Sequence, residues 1–201
     1  MENIDLTELY LRESERVEWK ENVADIDDVV KTAAAFANDY SNLGGGYIVC
    51  GAKETLDEHG FQKLEEIGLT SGRLKEIEGK VLAELREKVS PPIVALTEEM
   101  PLENGKRILI FTIPATKHAH SYRASGKHSS TYYIRIGRET REARNGLLLE
   151  LLSMKSDIVP WDKRINSKAS LNDIDLLALR EYLKEMGFKN SNKEIESYLS
   201  E

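Results

Sequence analysis

Carboxylates stand around one short apolar stretch of this chain, and their placement is its first chemical feature. Glu13 and Glu18 fall in the segment Glu13-Ser14-Glu15-Arg16-Val17-Glu18-Trp19-Lys20. Glu54 closes the run Tyr47-Ile48-Val49-Cys50-Gly51-Ala52-Lys53-Glu54. A helical run from Asp28 to Asn42 and the glycines Gly44-Gly45-Gly46 lie between them. Strand, helix, tight turn, strand can bring Glu13, Glu18 and Glu54 to one sheet edge. Three carboxylates there suit a hard divalent cation, which takes oxygen ligands. They equally suit a polar surface paired with Lys20 or a basic stretch, and the residues leave both open.

The second feature is that basic stretch. Residues 116–146 carry Lys117, Arg123, Lys127, Arg135, Arg138, Arg141 and Arg144 against Glu139 and Glu142, a net of +5. Residues 1–66 carry 6 Lys/Arg and 16 Asp/Glu. A basic stripe on an acidic body is the footprint of a phosphate-rich partner, or one half of an internal set of ion pairs. Lys20 and Arg135 fall on predicted strands. Arg135 alternates with Ile134 and Ile136, and its planar guanidinium suits phosphate or an ion pair with Glu18 or Glu54. Arg138, Arg141 and Arg144 recur at i, i+3, i+6 near the start of a predicted helix, where free N–H groups also favour an anion. His118 and His120 have a strand-like chelating spacing, but no Cys or third ligand completes a tetrahedral set, so they read as an anion-facing loop. Tyr122, Tyr132 and Tyr133 interleave with Arg123, Lys127 and Arg135; they suit base stacking or core packing.

The elements that position these groups follow from periodicity. Residues 3–12 read as a short helix through Leu6, Leu9 and Tyr10. Val17 and Trp19 alternate with Glu18 and Lys20, a strand pattern. Asp25, Asp27 and Asp28 open the next helix, where acids suit the positive dipole end. Its Val29, Val30, Ala33, Ala34, Phe36 and Ala37 predict close packing on a sheet. Residues 55–70 read as a loop. Leu74, Ile77, Val81, Leu85 and Val89 form one stripe of a helix over 71–90, stopped by Pro91-Pro92. Residues 93–102 and 107–115 read as a hairpin around Asn104-Gly105. A polar loop over 116–130, a strand over 131–137 and a helix over 138–155 follow. The expected fold is α+β: a mixed sheet of about five or six strands packed with three or four helices, plus a short C-terminal helical extension.

The order of these segments carries a resemblance. E-S-x-x-V-E-W-K, then A-A-A-F-A-N, then G-G-x-I-x-x-G-x-x-E resembles the Schlafen AlbA-like domain, formerly called divergent AAA. Tyr132-Tyr133-Ile134-Arg135-Ile136-Gly137 looks like that family's closing strand. The resemblance covers roughly residues 8–155. It implies nucleic acid, DNA or RNA, as the partner. The three acids of Schlafen ribonucleases fall in motifs matching Glu13, Glu18 and Glu54, and the third departs from the pattern, with Glu where Asp is usual. The resemblance also implies that Lys20 and Arg135 occupy family positions. It implies a domain heading a longer prokaryotic protein, with a linker like Val159-Pro160-Trp161-Asp162.

Composition sets the frame. The chain has 201 residues, a net charge of −7, 40% hydrophobic residues and 31% charged ones. No apolar run reaches the ~20 residues that span a bilayer, so no membrane partner is expected. The single Cys50 builds no disulfide framework, which fits a reducing compartment, and the cytoplasm is the expected location. Cys50 lies within an apolar run, as an inert buried thiol would. The expected domains are 1–156, nucleic-acid binding, and 157–201, a linker and helical extension that begins a truncated second domain. The leading function is a nucleic-acid-binding domain, DNA first, of a transcriptional regulator. One alternative is a divalent-metal-dependent endonuclease acting on RNA or DNA through Glu13, Glu18 and Glu54. Another is a homodimerisation or protein-interaction module. Binding requires no cofactor, and Mg or Mn enters only in the nuclease reading. No ATP site is seen, because Gly44–Gly46 lead into a strand rather than the helix a Walker motif needs.

Overall fold

The structure is a computed structural model that describes residues 14–155, 173 and 175–186. The chain divides into two compact units, Met1–Pro160 and Trp161–Glu201. In the first, β1 (Val17–Lys20), α1 (Ile26–Asn38), β2 (Gly45–Cys50), β3 (Ala52–Leu56) and β4 (Gln62–Glu66) are followed by α2 (Ser71–Glu87) and β5 (Val89–Ser90). Then come β6 (Leu96–Pro101), β7 (Arg107–Pro114), β8 (Ser121–Tyr122), β9 (Thr131–Ile136), β10 (Glu139–Glu142) and α3 (Asn145–Met154). The second unit contributes α4 (Leu176–Glu185), within the helix expected at 171–187. The helix expected at 3–12, the linker at 157–162 and the segment 190–201 lie outside the described residues.

The α+β class is borne out, with the strands distributed over three sheets. The first has order β1-β2-β7-β6 and is mixed: β1 runs parallel to β2, and the other pairs are antiparallel. The second, β10-β9-β8-β5, is antiparallel throughout. The third is the hairpin β3-β4.

Helix α1 packs on strands of both larger sheets, β2 and β7 on one side and β8, β9 and β10 on the other. Every residue from Thr32 to Asn38 is buried. An amphipathic surface helix cannot meet that demand, but small side chains all round can, which is why Ala33, Ala34, Ala35 and Ala37 occupy it. Ile48, Cys50, Leu109, Phe111 and Ile113 of the first sheet form the main core with α1 and with Leu74, Ile77, Val81 and Leu85 of α2. Burial of each large apolar side chain contributes about 1.5–3 kcal/mol.

The turn after α1 is built by its own residues. Asp39 takes the left-handed conformation at φ 43° and accepts bonds on its carboxylate from Leu43 N at 2.7 Å and Gly44 N at 3.1 Å. Gly45 follows at φ 94°, where an added Cβ would lie 2.1 Å from the Ile113 carbonyl oxygen. A side chain there would push β2 off β7.

Three expectations are corrected. Residues 55–70 are not a loop: Thr55 and Leu56 complete β3, and β4 returns from a turn in which Asp57 accepts from His59 N at 2.9 Å and Phe61 N at 2.8 Å. The polar stretch 116–130 contains β8, whose Tyr122 is 1% exposed. The helix expected over 138–155 begins only at Asn145. Glu139–Glu142 instead pair with β9 across the two-residue turn Gly137-Arg138, with Gly137 at φ 59°. Thr140 ties this strand inward through Thr32, 3.2 Å away, so tertiary pairing overrides the helix preference of Glu and Arg.

Replacing Gly45 by alanine should cost about 3 kcal/mol, from a left-handed backbone plus a backbone clash. Gly44→Ala, at φ 90° but with open space around it, should cost about 1–2 kcal/mol. Denaturant unfolding of the two variants checks this, and equal losses would contradict the close approach.

Candidate nucleic-acid interface

The side chains of β1 alternate as the sequence predicts. Val17 and Trp19 are buried on one face, and Glu18 and Lys20 turn to the α1 side. There Glu18 is held between two cations. One carboxylate oxygen lies 2.8 Å from Lys20 Nζ, and the other 2.9 Å from an Arg135 guanidinium nitrogen. Lys20 also reaches Asp28 of α1 at 2.7 Å. Burial presses the Lys20 ammonium toward its neutral form. The hydrogen bonds and charges of Asp28 and Glu18 outweigh that, so its pKa is raised above 10.5.

Arg135 is 5% exposed. Besides Glu18, it donates to Thr140 Oγ1 at 3.1 Å and to the Ser14 carbonyl at 3.1 Å, and it lies over the Phe36 ring at 5.1 Å. Its burial departs from strict alternation, in which it would share exposure with neither isoleucine. Ile134 is buried, whereas Ile136 is exposed. At the next turn, Gly137 N donates to Glu15 Oε1 at 3.0 Å. Thus Ser14, Glu15 and Glu18 are all fastened to β9 and the turn after it. Glu15 is a turn acceptor.

The predicted site residues fall into two groups. Glu54 on β3 pairs with Arg138 at 2.7 Å. Arg141 bonds Glu139 at 2.6 Å, and Arg144 bonds Glu142 at 2.6 Å. Arg138, Arg141 and Arg144 therefore do not share a helix face: they occupy a turn, a strand and a helix cap. Lys117, Arg123 and Lys127 are the other group. They are exposed and make no ion pair with any described residue.

Glu13 lies outside the described residues. Among the described residues, no three His, Cys, Asp or Glu side chains come close enough to hold a metal ion. Glu18 and Glu54 are each engaged by a guanidinium group.

The loop bearing the unpaired cations is anchored by buried polar groups. Asn38 of α1 accepts from His120 N at 2.7 Å and donates to the His120 carbonyl at 3.0 Å. The His120 ring is 2% exposed and lies 2.6 Å from the Pro91 carbonyl and 2.5 Å from Thr116 Oγ1. This corrects the anion-facing reading of His120, which is a core residue. Tyr122 is likewise core rather than a stacking platform. Its hydroxyl donates to Asp27, Glu84 lies 3.2 Å away, and Ser125 N donates to Asp27 at 3.2 Å. These hydrogen bonds, chiefly that from Tyr122, hold the Asp27 carboxylate below its ordinary pKa against its own burial. Burial and the Asp27 and Glu84 carboxylates push the Tyr122 phenol well above its ordinary 10.0. The buried Cys50 thiol is pushed up to about 12 by desolvation, as the inert reading requires.

Asp28, Thr140, Phe36 and Asn38 were missed in the sequence reading. Thr140 had a signal: a glycine followed by alternating side chains marks a hairpin return. Asn38 and Asp28 had none beyond helix position, because their partners are distant in sequence.

The fold and site together define an α+β domain with an internally paired acidic edge and a free basic loop. Residues 13–144, more than half the chain, match the family described as Schlafen, AlbA_2, and the chain belongs to it. No curated protein matches. Solved structures that are similar include the following two. The solution NMR structure of the N-terminal domain of a DNA helicase RecG-related protein from Nitrosomonas europaea is 22% identical, with a TM-score of 0.47, over 62% of this chain and 80% of that one. The crystal structure of the DIP2311 protein from Corynebacterium diphtheriae is 17% identical, with a TM-score of 0.43, over 85% of this chain and only 29% of that one.

Arg135→Met should destabilise the domain by about 3 kcal/mol, because it leaves Glu18 in a largely desolvated position with only Lys20 to answer it, and adding Glu18→Gln should recover part of that loss. Chemical denaturation of the single and double variants checks the coupling; simple additivity would contradict it. For Tyr122, a folded pKa above the unfolded value means its stabilisation is complete below pH 10 and drains away as pH rises. Wild-type melting temperature should therefore fall more steeply than that of Tyr122→Phe between about pH 10 and 12. Parallel curves would remove the phenol from this account.

Proposed function

We propose that the domain binds nucleic acid, DNA foremost, through its phosphates, and that in a longer chain it serves as the DNA-contacting part of a regulator. The observation that carries this reading is the free charge of Lys117, Arg123 and Lys127. Most other cations of the basic stretch have carboxylate partners, at Glu18, Glu54, Glu139 and Glu142. These three have none among the described residues, and their loop is pinned to the core through Asn38, His120 and Tyr122. Cations held on an ordered loop lose less entropy on meeting a phosphate strand than cations on a floppy one. The overall charge of −7 does not oppose this, because exposed charges beyond a Debye length of about 8–10 Å are screened. Membership in the Schlafen AlbA_2 family supports the same reading.

The acids belong to the scaffold in this view. Glu18 neutralises the buried Arg135 and the partly buried Lys20, and its removal would disturb the fold before it disturbed chemistry. Binding therefore needs no divalent ion.

The test is fluorescence anisotropy with labelled single-stranded DNA, duplex DNA and transfer RNA, in EDTA. Binding should weaken steeply with salt. The triple variant Lys117→Gln/Arg123→Gln/Lys127→Gln should reduce the slope of log K against log salt by about 2–3 and weaken binding at least about tenfold. Affinity seen only with Mn²⁺, with shortened strands, would replace this reading by the endonuclease one. No binding at low salt would sink both.

A further inference from the structure

An open groove of about 360 Å³ lies between α1 and the β9-β10 turn, and it is not explained by the loop cations. Arg138 and Arg141 stand at its rim, and Arg135, Thr32 and Thr140 at its floor. The groove adjoins the first turn of α1, where Asp28 lines it and the preceding Asp27 holds Ser125 of the basic loop.

Both rim guanidiniums are occupied by the protein itself. Arg138 bonds Glu54 with side-chain exposures of 41% and 35%, and Arg141 bonds Glu139 at 63% and 63%. Such exposed pairs contribute little to stability. A phosphodiester presents two anionic oxygens to a guanidinium as a carboxylate does, and successive phosphates of one strand can meet two guanidiniums. The floor is polar as well. The Arg135 guanidinium is nine-tenths buried and its Nε has no partner. Thr32 and Thr140 share one hydrogen bond at 3.2 Å, which leaves one of their two hydroxyl hydrogens without an acceptor among the described residues. The two other acids on the wall, Glu18 and Asp28, are already neutralised by Lys20 and Arg135.

We propose that this groove is a phosphodiester site whose rim arginines are held by internal carboxylates, Glu54 on Arg138 and Glu139 on Arg141, which a bound strand displaces. The proposal rests on the nucleic-acid reading and deepens it. Strand binding then pays for two weak ion pairs, so the carboxylates set the affinity rather than the chemistry. Glu54, expected as a catalytic acid, becomes a competitor of the phosphate.

The test is a double-mutant cycle read by anisotropy with a labelled single-stranded DNA 20-mer in EDTA, on variants confirmed as folded by circular dichroism. Removing any acid from a DNA-binding surface helps somewhat, so Glu58→Gln on the β3-β4 turn is the charge-matched control. E54Q should tighten binding about two- to fivefold beyond E58Q. In the R138Q background that excess should vanish. If E54Q and E58Q have equal effects in both backgrounds, the internal competition is refuted while the nucleic-acid reading stands. If neither wild type nor E54Q binds at low salt, both fall. Inorganic phosphate, titrated against the same variants, separates the sources of the anion: an E54Q gain with inorganic phosphate and none with the oligonucleotide would overturn assignment to a strand.

Discussion

A guanidinium that is 5% exposed must have its charge answered inside the protein, and Arg135 is answered by Glu18 at 2.9 Å. The two residues lie 117 positions apart, one on the edge strand of the first sheet and the other in the middle of the second. Between them runs α1, whose Phe36 ring lies under the guanidinium. The pair therefore helps fix how both sheets sit on their shared helix. Desolvating two charges costs several kcal/mol per ion unless other partners compensate. Here Lys20, Thr140 and the Ser14 carbonyl provide them. The β9-β10 turn inherits its place from this clamp, and with it the positions of Arg138 and Arg141.

The same constraint explains why the chain can be acidic and still carry a cationic surface. Residues 1–66 supply the carboxylates, and residues 116–146 supply the cations. Folding joins the two sets across the sheet edge. Arg135 and Arg138 are paired across that junction with Glu18 and Glu54, Arg141 and Arg144 pair with Glu139 and Glu142 of their own stretch, and the surplus is left on the loop 116–130. Function on this account lies in which cations are left over, not in how many the sequence holds.

Local patterns were legible in the sequence; long-range partners were not. The alternation of Val17 and Trp19 against Glu18 and Lys20 marked β1, and the Asn104-Gly105 turn marked the β6-β7 hairpin. The stripe Leu74, Ile77, Val81, Leu85 marked α2. The Arg135–Glu18 pair was among the partners weighed for each residue. What escaped were elements whose identity is decided by contact. Glu139–Glu142 have helix-favouring composition, and only pairing with β9 makes them a strand. Ser121 and Tyr122 form a strand of two residues, too short for any period, stabilised by a phenol buried against Asp27 and Glu84. His120 looked like a surface loop residue because its partners, Asn38 and Pro91, are far away in sequence.

The measurement that tests the central claim most directly is amide hydrogen exchange with and without an excess of single-stranded DNA oligonucleotide, at low salt and in EDTA. The account predicts slowed exchange in residues 116–130 and in the β9-β10 turn, with the acidic β3-β4 hairpin tip and the exposed face of α2 unchanged. Protection confined to that hairpin or to α2, with the basic loop unaffected, would contradict it.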